Sequence, residues 1–180
     1  MLSEALRTIV GELEQLEVPY ALIGALAMAP HNVIRATEDV DVLIGRSAPK
    51  IGDLASRLQS LGYKLEVSKA SFDDPLGGVI IVQVPTSSGE FPCDLIFPAR
   101  GWQASAVKNA VAVQMEGFSV RVVRAHDLFL LKLYAGGPQD LLDAAQLYEI
   151  QDSATKADWK EAATGIGEHE AFERCLKFLA

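Results

Sequence analysis

The stretch that decides the fold runs from Tyr20 to Ile44 and reads YALIGALAMAPHNVIRATEDVDVLI. It begins with an apolar run that ends at Gly24 and continues into small residues. It ends with Asp39 and Asp41 inside a segment that otherwise has the pattern of a buried strand. Side chains alternate between the two faces of a strand, so both carboxylates should project from the same face. Like charges this close repel each other, and a divalent cation between them would remove the repulsion.

These carboxylates lead to the hypothesis of a metal and nucleotide site on this strand. Mg²⁺ prefers carboxylate oxygens and keeps coordination positions for water and substrate phosphates. Asp94 offers a third carboxylate, because it interrupts the apolar segment Phe91–Phe97 and packing does not explain a charge there. Gly24 and Ala25 supply a second element, since a strand that ends in glycine before a helix lets backbone N–H groups approach a phosphate.

Helix and strand patterns follow each other irregularly along the rest of the chain. Helical spacing covers residues 4–16, 51–61, 102–109, 125–134 and 139–150, with a brief helix at 25–29 and two shorter segments near Trp159 and Phe172. Strand patterns cover residues 20–24, 40–44, 63–67, 79–84, 91–97, 111–115 and 119–123, with turn signals at 73–75, 87–89 and 116–117. The chain is therefore predicted to have an α+β (mixed α/β) fold with a central mixed sheet flanked by helices. Residues 1–124 form the predicted core, and residues 125–180 form a C-terminal helical region packed on it as one compact unit.

Composition narrows the class of protein. The 180 residues suit one domain, and a net charge of −8 argues against a dedicated DNA-binding surface while leaving a local basic groove open. Cys93 and Cys175 have no CxxC spacing, so neither a zinc site nor a disulfide framework is expected. The sequence has no signal-peptide pattern and no apolar run long enough to span a bilayer. We expect a cytoplasmic protein with no membrane association.

The order Ile23-Gly24-Ala25, a spacer and Asp39-Val40-Asp41-Val42 resembles the DNA polymerase β-type nucleotidyltransferase superfamily. Its signature is Gly-Gly or Gly-Ser, then Asp-x-Asp or Asp-x-Glu, with a third Asp on a later strand. The closer resemblance is to the bacterial branch that includes AbiEii-like toxins of type IV toxin–antitoxin systems. That branch shows Arg-x-Thr where Arg35-Ala36-Thr37 stands, and its later helices resemble the segments 131–137 (LKLYAGG) and 140–143 (DLLD). The resemblance covers roughly residues 18–150.

The resemblance implies a nucleotidyltransferase fold and the transfer of NMP from an NTP, with Mg²⁺ or Mn²⁺, to a hydroxyl of RNA or protein. A tRNA is one possible acceptor, and a toxin–antitoxin component is one possible role. By position, Asp39, Asp41 and Asp94 would bind the metal and carry catalysis, and Asp94 would help to activate the hydroxyl. Lys132 would act in catalysis and contact the triphosphate, and Asp140 would position that lysine or its helix. The other nucleotide-binding residues implied are Gly24, Ala25, Arg35 and Thr37.

Other interpretations stay open. Ala25 stands where the family has Gly or Ser, which favours a non-catalytic interaction module that holds an antitoxin-like or other protein partner. Asp-x-Asp also occurs in metal-dependent glycosyltransferases, although the upstream Gly24 does not favour them. The Asp39 and Asp41 pair would also suit the solvent-facing side of an edge strand.

Four further side chains have structural interpretations of their own. Lys132 would suit an apolar helix as a lysine whose ammonium reaches solvent. Asp140 and Asp143 would suit the first turn of a helix. Arg35 would either steer phosphate or pair with Glu38 or Asp39.

An RNA acceptor requires a local basic patch on this acidic protein. The cations available for one are Arg35, Arg46, Lys50, Arg100, Lys108, Arg121 and Arg124.

Overall fold

The architecture is given by a computed structural model, which describes residues 1–69, 77–115 and 117–179. The helices in this part of the chain are α1 Leu2–Gln15, α2 Ile51–Ser60, α3 Gly101–Asn109, α4 Ala125–Ala135, α5 Pro138–Glu149, α6 Ser153–Gly165 and α7 His169–Leu176. The strands are β1 Tyr20–Leu22, β2 Val40–Ile44, β3 Lys64–Lys69, β4 Gly78–Thr86, β5 Gly89–Ile96, β6 Val111–Met115 and β7 Phe118–Val122. A 3-10 helix, Leu26–His31, lies between β1 and β2.

The described strands form one mixed sheet in the order β3-β4-β5-β2-β1-β7-β6. Strand β2 pairs parallel with β5 and antiparallel with β1, and β1 pairs parallel with β7. The predicted α+β (mixed α/β) fold with a central mixed sheet is confirmed. Because β2 lies between two other strands, the interpretation of its carboxylates as the outer side of an edge strand is wrong.

Local sequence explains most element boundaries. Strands β4 and β5 form a hairpin in which Thr86 pairs with Gly89, as the Ser87-Ser88-Gly89 turn signal predicts. The predicted hairpin of β6 and β7 is also confirmed. The turn predicted at 73–75 lies outside the described residues, as does residue 116 of the turn predicted at 116–117.

The predicted brief helix at 25–29 differs in type and length. It is a 3-10 helix that starts one residue later, contains Pro30 and continues to His31. Proline lacks a backbone N–H, so it disfavours a longer α-helix here but not a single tight turn. Asn32 ends the helix with a left-handed φ of 64°, a conformation that asparagine tolerates.

The hydrophobic core continues from both sides of the sheet into the C-terminal helices. Phe129 of α4 is fully buried, and its ring lies 4.9 Å from that of Trp159, 5.8 Å from Tyr148 and 6.2 Å from Phe172. These aromatic contacts join α4, α5, α6 and α7. The division into a core and a helical region at residues 124 and 125 stays a prediction. No helix in the described ranges is both long and apolar enough to cross a membrane.

Replacing Phe129 with alanine should lower the free energy of unfolding by about 3–5 kcal/mol, because it removes buried area and leaves a cavity among three rings. Urea denaturation followed by circular dichroism measures the change. Phe178→Ala is the matched control, since that ring is 46% exposed and its loss should change stability by less than about 1 kcal/mol. Equal effects of the two substitutions would contradict this account of the core.

Candidate functional site

Strand pairing places two carboxylates side by side at the centre of the sheet. In the parallel pair of β2 and β5, Asp41 lies opposite Asp94. Paired residues on strands about 4.8 Å apart project from the same face of a sheet. Asp39 lies in the bend just before β2, and its charge acts on both Asp41 and Asp94. The shared face predicted for Asp39 and Asp41 stays a prediction, and the register of the sheet places Asp94 on the face of Asp41.

Gly24 is required by the close approach of Asp41. Its φ is +65°, which L side chains rarely adopt, and a Cβ built there would lie 1.9 Å from Asp41 Oδ2. The backbone also joins the two strands here, since the Ile23 amide donates to the Asp41 carbonyl at 2.9 Å. The glycine therefore makes room for a carboxylate. Its predicted contact with a phosphate stays a prediction, as does that of Ala25, which is buried and caps the 3-10 helix.

The neighbouring carboxylates repel one another, which disfavours their ionised forms. Burial, together with the charges of Asp39 and Asp94, raises the pKa of Asp41 to about 7. Burial and Asp39 also raise the pKa of Asp94. The repulsion expected from the sequence is therefore present, and a proton or a cation relieves it.

A buried cation faces these carboxylates from α4. Lys132 is 7% exposed, so the interpretation of it as a lysine that reaches solvent is wrong. Its ammonium donates to Asp140 at 2.8 Å and lies 2.9 Å from Asp143. Burial lowers the pKa of Lys132, but the hydrogen bonds to Asp140 and Asp143 outweigh it and raise that pKa above its usual value. The lysine thus stays charged beside the site.

Asp143 is the site residue that sequence reasoning missed. It is fully buried, and its carboxylate lies 2.9 Å from the Lys132 ammonium and accepts from Arg35 Nε at 3.2 Å and Gln139 Nε2 at 2.8 Å. Arg35 therefore pairs with a residue 108 positions away rather than with the neighbouring Glu38 or Asp39. The available signal was the Asp-x-x-Asp spacing with Asp140, because residues three apart lie on one face of a helix.

A cavity of about 240 Å³ lies between the sheet and α4. Four residues predicted for the site line it, namely Gly24, Asp41, Lys132 and Asp140. Apolar side chains form most of the remaining wall: Ile23, Leu43, Ile96, Leu128 and Leu131. The other predicted residues that the structure describes lie outside this lining: Ala25, Arg35, Thr37, Asp39 and Asp94. The Thr37 hydroxyl donates to the Asp39 carboxylate and so orients it.

Within the described residues, no group of three or more histidine, cysteine, aspartate or glutamate side chains is arranged to hold a metal ion. The chemistry of the donor set nevertheless fits a hard divalent cation. Asp39, Asp41 and Asp94 offer only carboxylate oxygens, and their charges act on one another.

Comparison with known proteins shows the fold. No family model matches the chain, and no curated protein matches it either. A nucleotidyltransferase-like antigen from Paracoccidioides brasiliensis has a similar structure, with 16% identity, a TM-score of 0.56, and coverage of 98% of this chain and 94% of that one. A proposed nucleotidyltransferase from H. pylori is similar with 19% identity, a TM-score of 0.53, and coverage of 97% and 81%. The chain therefore has a nucleotidyltransferase-like fold, as the resemblance implied.

The substitution Gly24→Ala should displace Asp41 and lower the free energy of unfolding by roughly 1–3 kcal/mol, because it adds a methyl group at a left-handed φ. Chemical denaturation measures it. Gly11→Ala is the control, since nothing lies within 4 Å of a Cβ there and the residue is inside α1. The control should raise stability by up to about 1 kcal/mol. A neutral Gly24→Ala variant would contradict the close approach.

The raised pKa of Asp41 also predicts how stability depends on pH in metal-free buffer. The folded protein keeps a proton up to about pH 7 that an ordinary carboxyl loses near 3.8. Stability is therefore lost as pH rises between these values, and the whole cost is present above pH 7. Asp41→Asn removes this cost, so its advantage over the wild type should grow by roughly 1–4 kcal/mol across that window. Parallel pH profiles from denaturation of the two proteins would contradict the assignment.

Proposed function

We propose that the protein is a metal-dependent nucleotidyltransferase that transfers NMP from an NTP to a hydroxyl of RNA or protein. The observation that carries this proposal is the position of Asp41. It lies against Gly24, opposite Asp94, and in the wall of a cavity that Lys132 and Asp140 also line. The nucleotidyltransferase-like fold supports the proposal.

The local charges favour a divalent cation. The charges of Lys132 and Arg35 act on Asp41, and the two side chains pair with Asp140 and Asp143. Asp39 and Asp94 add two further carboxylates beside Asp41. A triphosphate adds further negative charge, so nucleotide binding requires added positive charge. Mg²⁺ or Mn²⁺ held by Asp39, Asp41 and Asp94 would supply that charge and stabilise the charge that develops on the α-phosphate.

The residues of the chain would divide the remaining work between them. Asp94, whose pKa is raised, would take the proton of the acceptor hydroxyl. The hydroxyl oxygen would then bond to the α-phosphorus as the bond from that phosphorus to the bridging oxygen breaks, and pyrophosphate leaves. Lys132 would direct its ammonium to the triphosphate while Asp140 and Asp143 hold it in place. Leu128 and Leu131 give the cavity an apolar side suited to a nucleobase.

A second function is favoured by a specific observation. The carboxylates are not arranged to hold a metal among the described residues, and Ala25 replaces the Gly or Ser of the resembling family. Both features suit a non-catalytic protein that uses the same fold to bind a protein partner. The AbiEii-like branch, a toxin–antitoxin role and a tRNA acceptor stay predictions.

Calorimetric titration of each NTP with Mg²⁺ tests the site. The wild type should bind at least one NTP only when Mg²⁺ is present, and Asp39→Asn/Asp41→Asn should lose that binding, because two of three proposed ligands are gone. The expected loss is at least tenfold in affinity, or about 1.4 kcal/mol.

The matched control is Asp53→Asn/Asp158→Asn, which removes two exposed carboxylates on α2 and α6 and should bind as the wild type does. Retained binding and transfer in the Asp39 and Asp41 variant would overturn the proposed site. A folded wild type that binds no NTP would favour the protein-binding function instead.

A further inference from the structure

A basic groove opens on the sheet at the far end of β2 from Asp39. Its volume is about 680 Å³, and Arg46, Lys108 and Arg121 line it. These cations come from three elements, since Arg46 follows β2, Lys108 belongs to the last turn of α3, and Arg121 belongs to β7. The fold therefore gathers cations that are far apart in the sequence.

The charges of this basic groove are largely unneutralised. Among the described residues, no carboxylate lies within ion-pair distance of Arg46 or Lys108. Arg121 donates to the carbonyl oxygens of Val107 at 3.4 Å and Ala110 at 2.8 Å, which holds it beside Lys108. Glu14 lines a neighbouring cavity that Arg121 also lines. A group of largely unneutralised cations, on a protein whose net charge is −8, forms a surface suited to binding an anion.

Further cations lead from the basic groove towards the cavity of the proposed active site. Arg46 also lines an adjoining groove with Lys50. A Cβ at Gly101 would lie 4.0 Å from Arg46 Nη1, which brings Arg46 to the start of α3. The preceding residue, Arg100, donates to the Tyr134 hydroxyl at 3.2 Å, and Tyr134 lines the cavity.

The basic groove and the cavity lie along one face of the sheet. Asp41 and Leu43 alternate along β2 and so share that face, and Gly45 follows the last residue of β2. The first two line the cavity and Gly45 lines the basic groove. Helix α3 contributes to both, with Gln103 in the cavity and Lys108 in the groove. Asp41 and Gly45 are four residues apart, which is roughly 13 Å in a strand. A short segment of an extended linear ligand would span that distance.

We propose that the basic groove binds the phosphate backbone of single-stranded RNA, whose terminal hydroxyl then reaches the cavity as the acceptor. The inference rests on the proposed function and narrows its acceptor from RNA or protein to RNA. Phosphates spaced along a strand match cations spaced along a groove. The half-buried Trp102, at the start of α3, lies edge-on to the cavity residue Tyr134 with 5.6 Å between the ring centroids, and such aromatic side chains stack on bases.

The test is fluorescence anisotropy of a fluorescein-labelled short oligouridylate, titrated with the full chain in the absence of NTP and metal. Arg46→Glu/Lys108→Glu should weaken binding at least tenfold at low salt. It should also reduce the slope of log affinity against log salt by about 1.4, because two phosphate contacts are lost. Arg57→Glu/Lys160→Glu is the matched control, since it reverses two exposed cations on α2 and α6 and changes the net charge equally.

The outcomes distinguish a failure of this proposal from a failure of the proposed function. RNA binding by a protein that shows no transfer activity supports the groove and counts only against catalysis. Equal losses in the groove variant and the control would overturn the proposal. Tighter, groove-dependent binding of labelled polyglutamate would also overturn it, in favour of an acidic protein partner. Thermal unfolding checks that each variant folds, and the milder Arg46→Gln/Lys108→Gln should give an intermediate loss.

Discussion

The repulsion among carboxylates at the centre of the sheet is the constraint on which the rest of the structure depends. Parallel pairing of β2 with β5 fixes Asp41 opposite Asp94, and neither strand can shift by one residue without turning apolar side chains out of the core. Gly24 accepts the Asp41 carboxylate at a distance that no other residue would permit. The fold therefore includes an unfavourable electrostatic free energy at these carboxylates, and ionisable groups perturbed in this way are typical of functional sites.

An ion cluster of Asp143, Lys132 and Arg35 reduces this repulsion and connects the C-terminal helices to the segment before β2. Asp143 lies within ion-pair distance of Lys132 of α4 and of Arg35 in the segment before β2. Breaking a buried pair leaves an uncompensated charge, so the positions of α4 and α5 relative to β2 are strongly fixed. The same charges lower the pKa of Asp41, although less than burial and its acidic neighbours raise it. The cluster therefore links the geometry of the helices to the electrostatics of the site.

A site residue could be predicted from the sequence only where its partners lie close to it along the chain. Asp39, Asp41 and Gly24 lie in one short stretch, and period-two alternation together with strand ends was enough to associate them. Asp143 carried no comparable signal, because an aspartate in the first turns of a helix is usually explained by the helix dipole. Its partner Arg35 is 108 residues away, and only tertiary packing, in which α5 contacts α4, brings them together. The basic groove is a similar case, since Arg46, Lys108 and Arg121 belong to elements with no local relation.

The sequence by itself determined the class of fold, most element boundaries and a carboxylate, Asp41, within strand β2, because these follow from local periodicity, turn residues and side-chain alternation. Only the tertiary structure decided the strand order, the opposition of Asp41 and Asp94, the burial of Lys132 and the gathering of cations beside α3. Those features arise from contacts between distant segments, whose energies depend on distance and burial. Local sequence patterns do not contain that information.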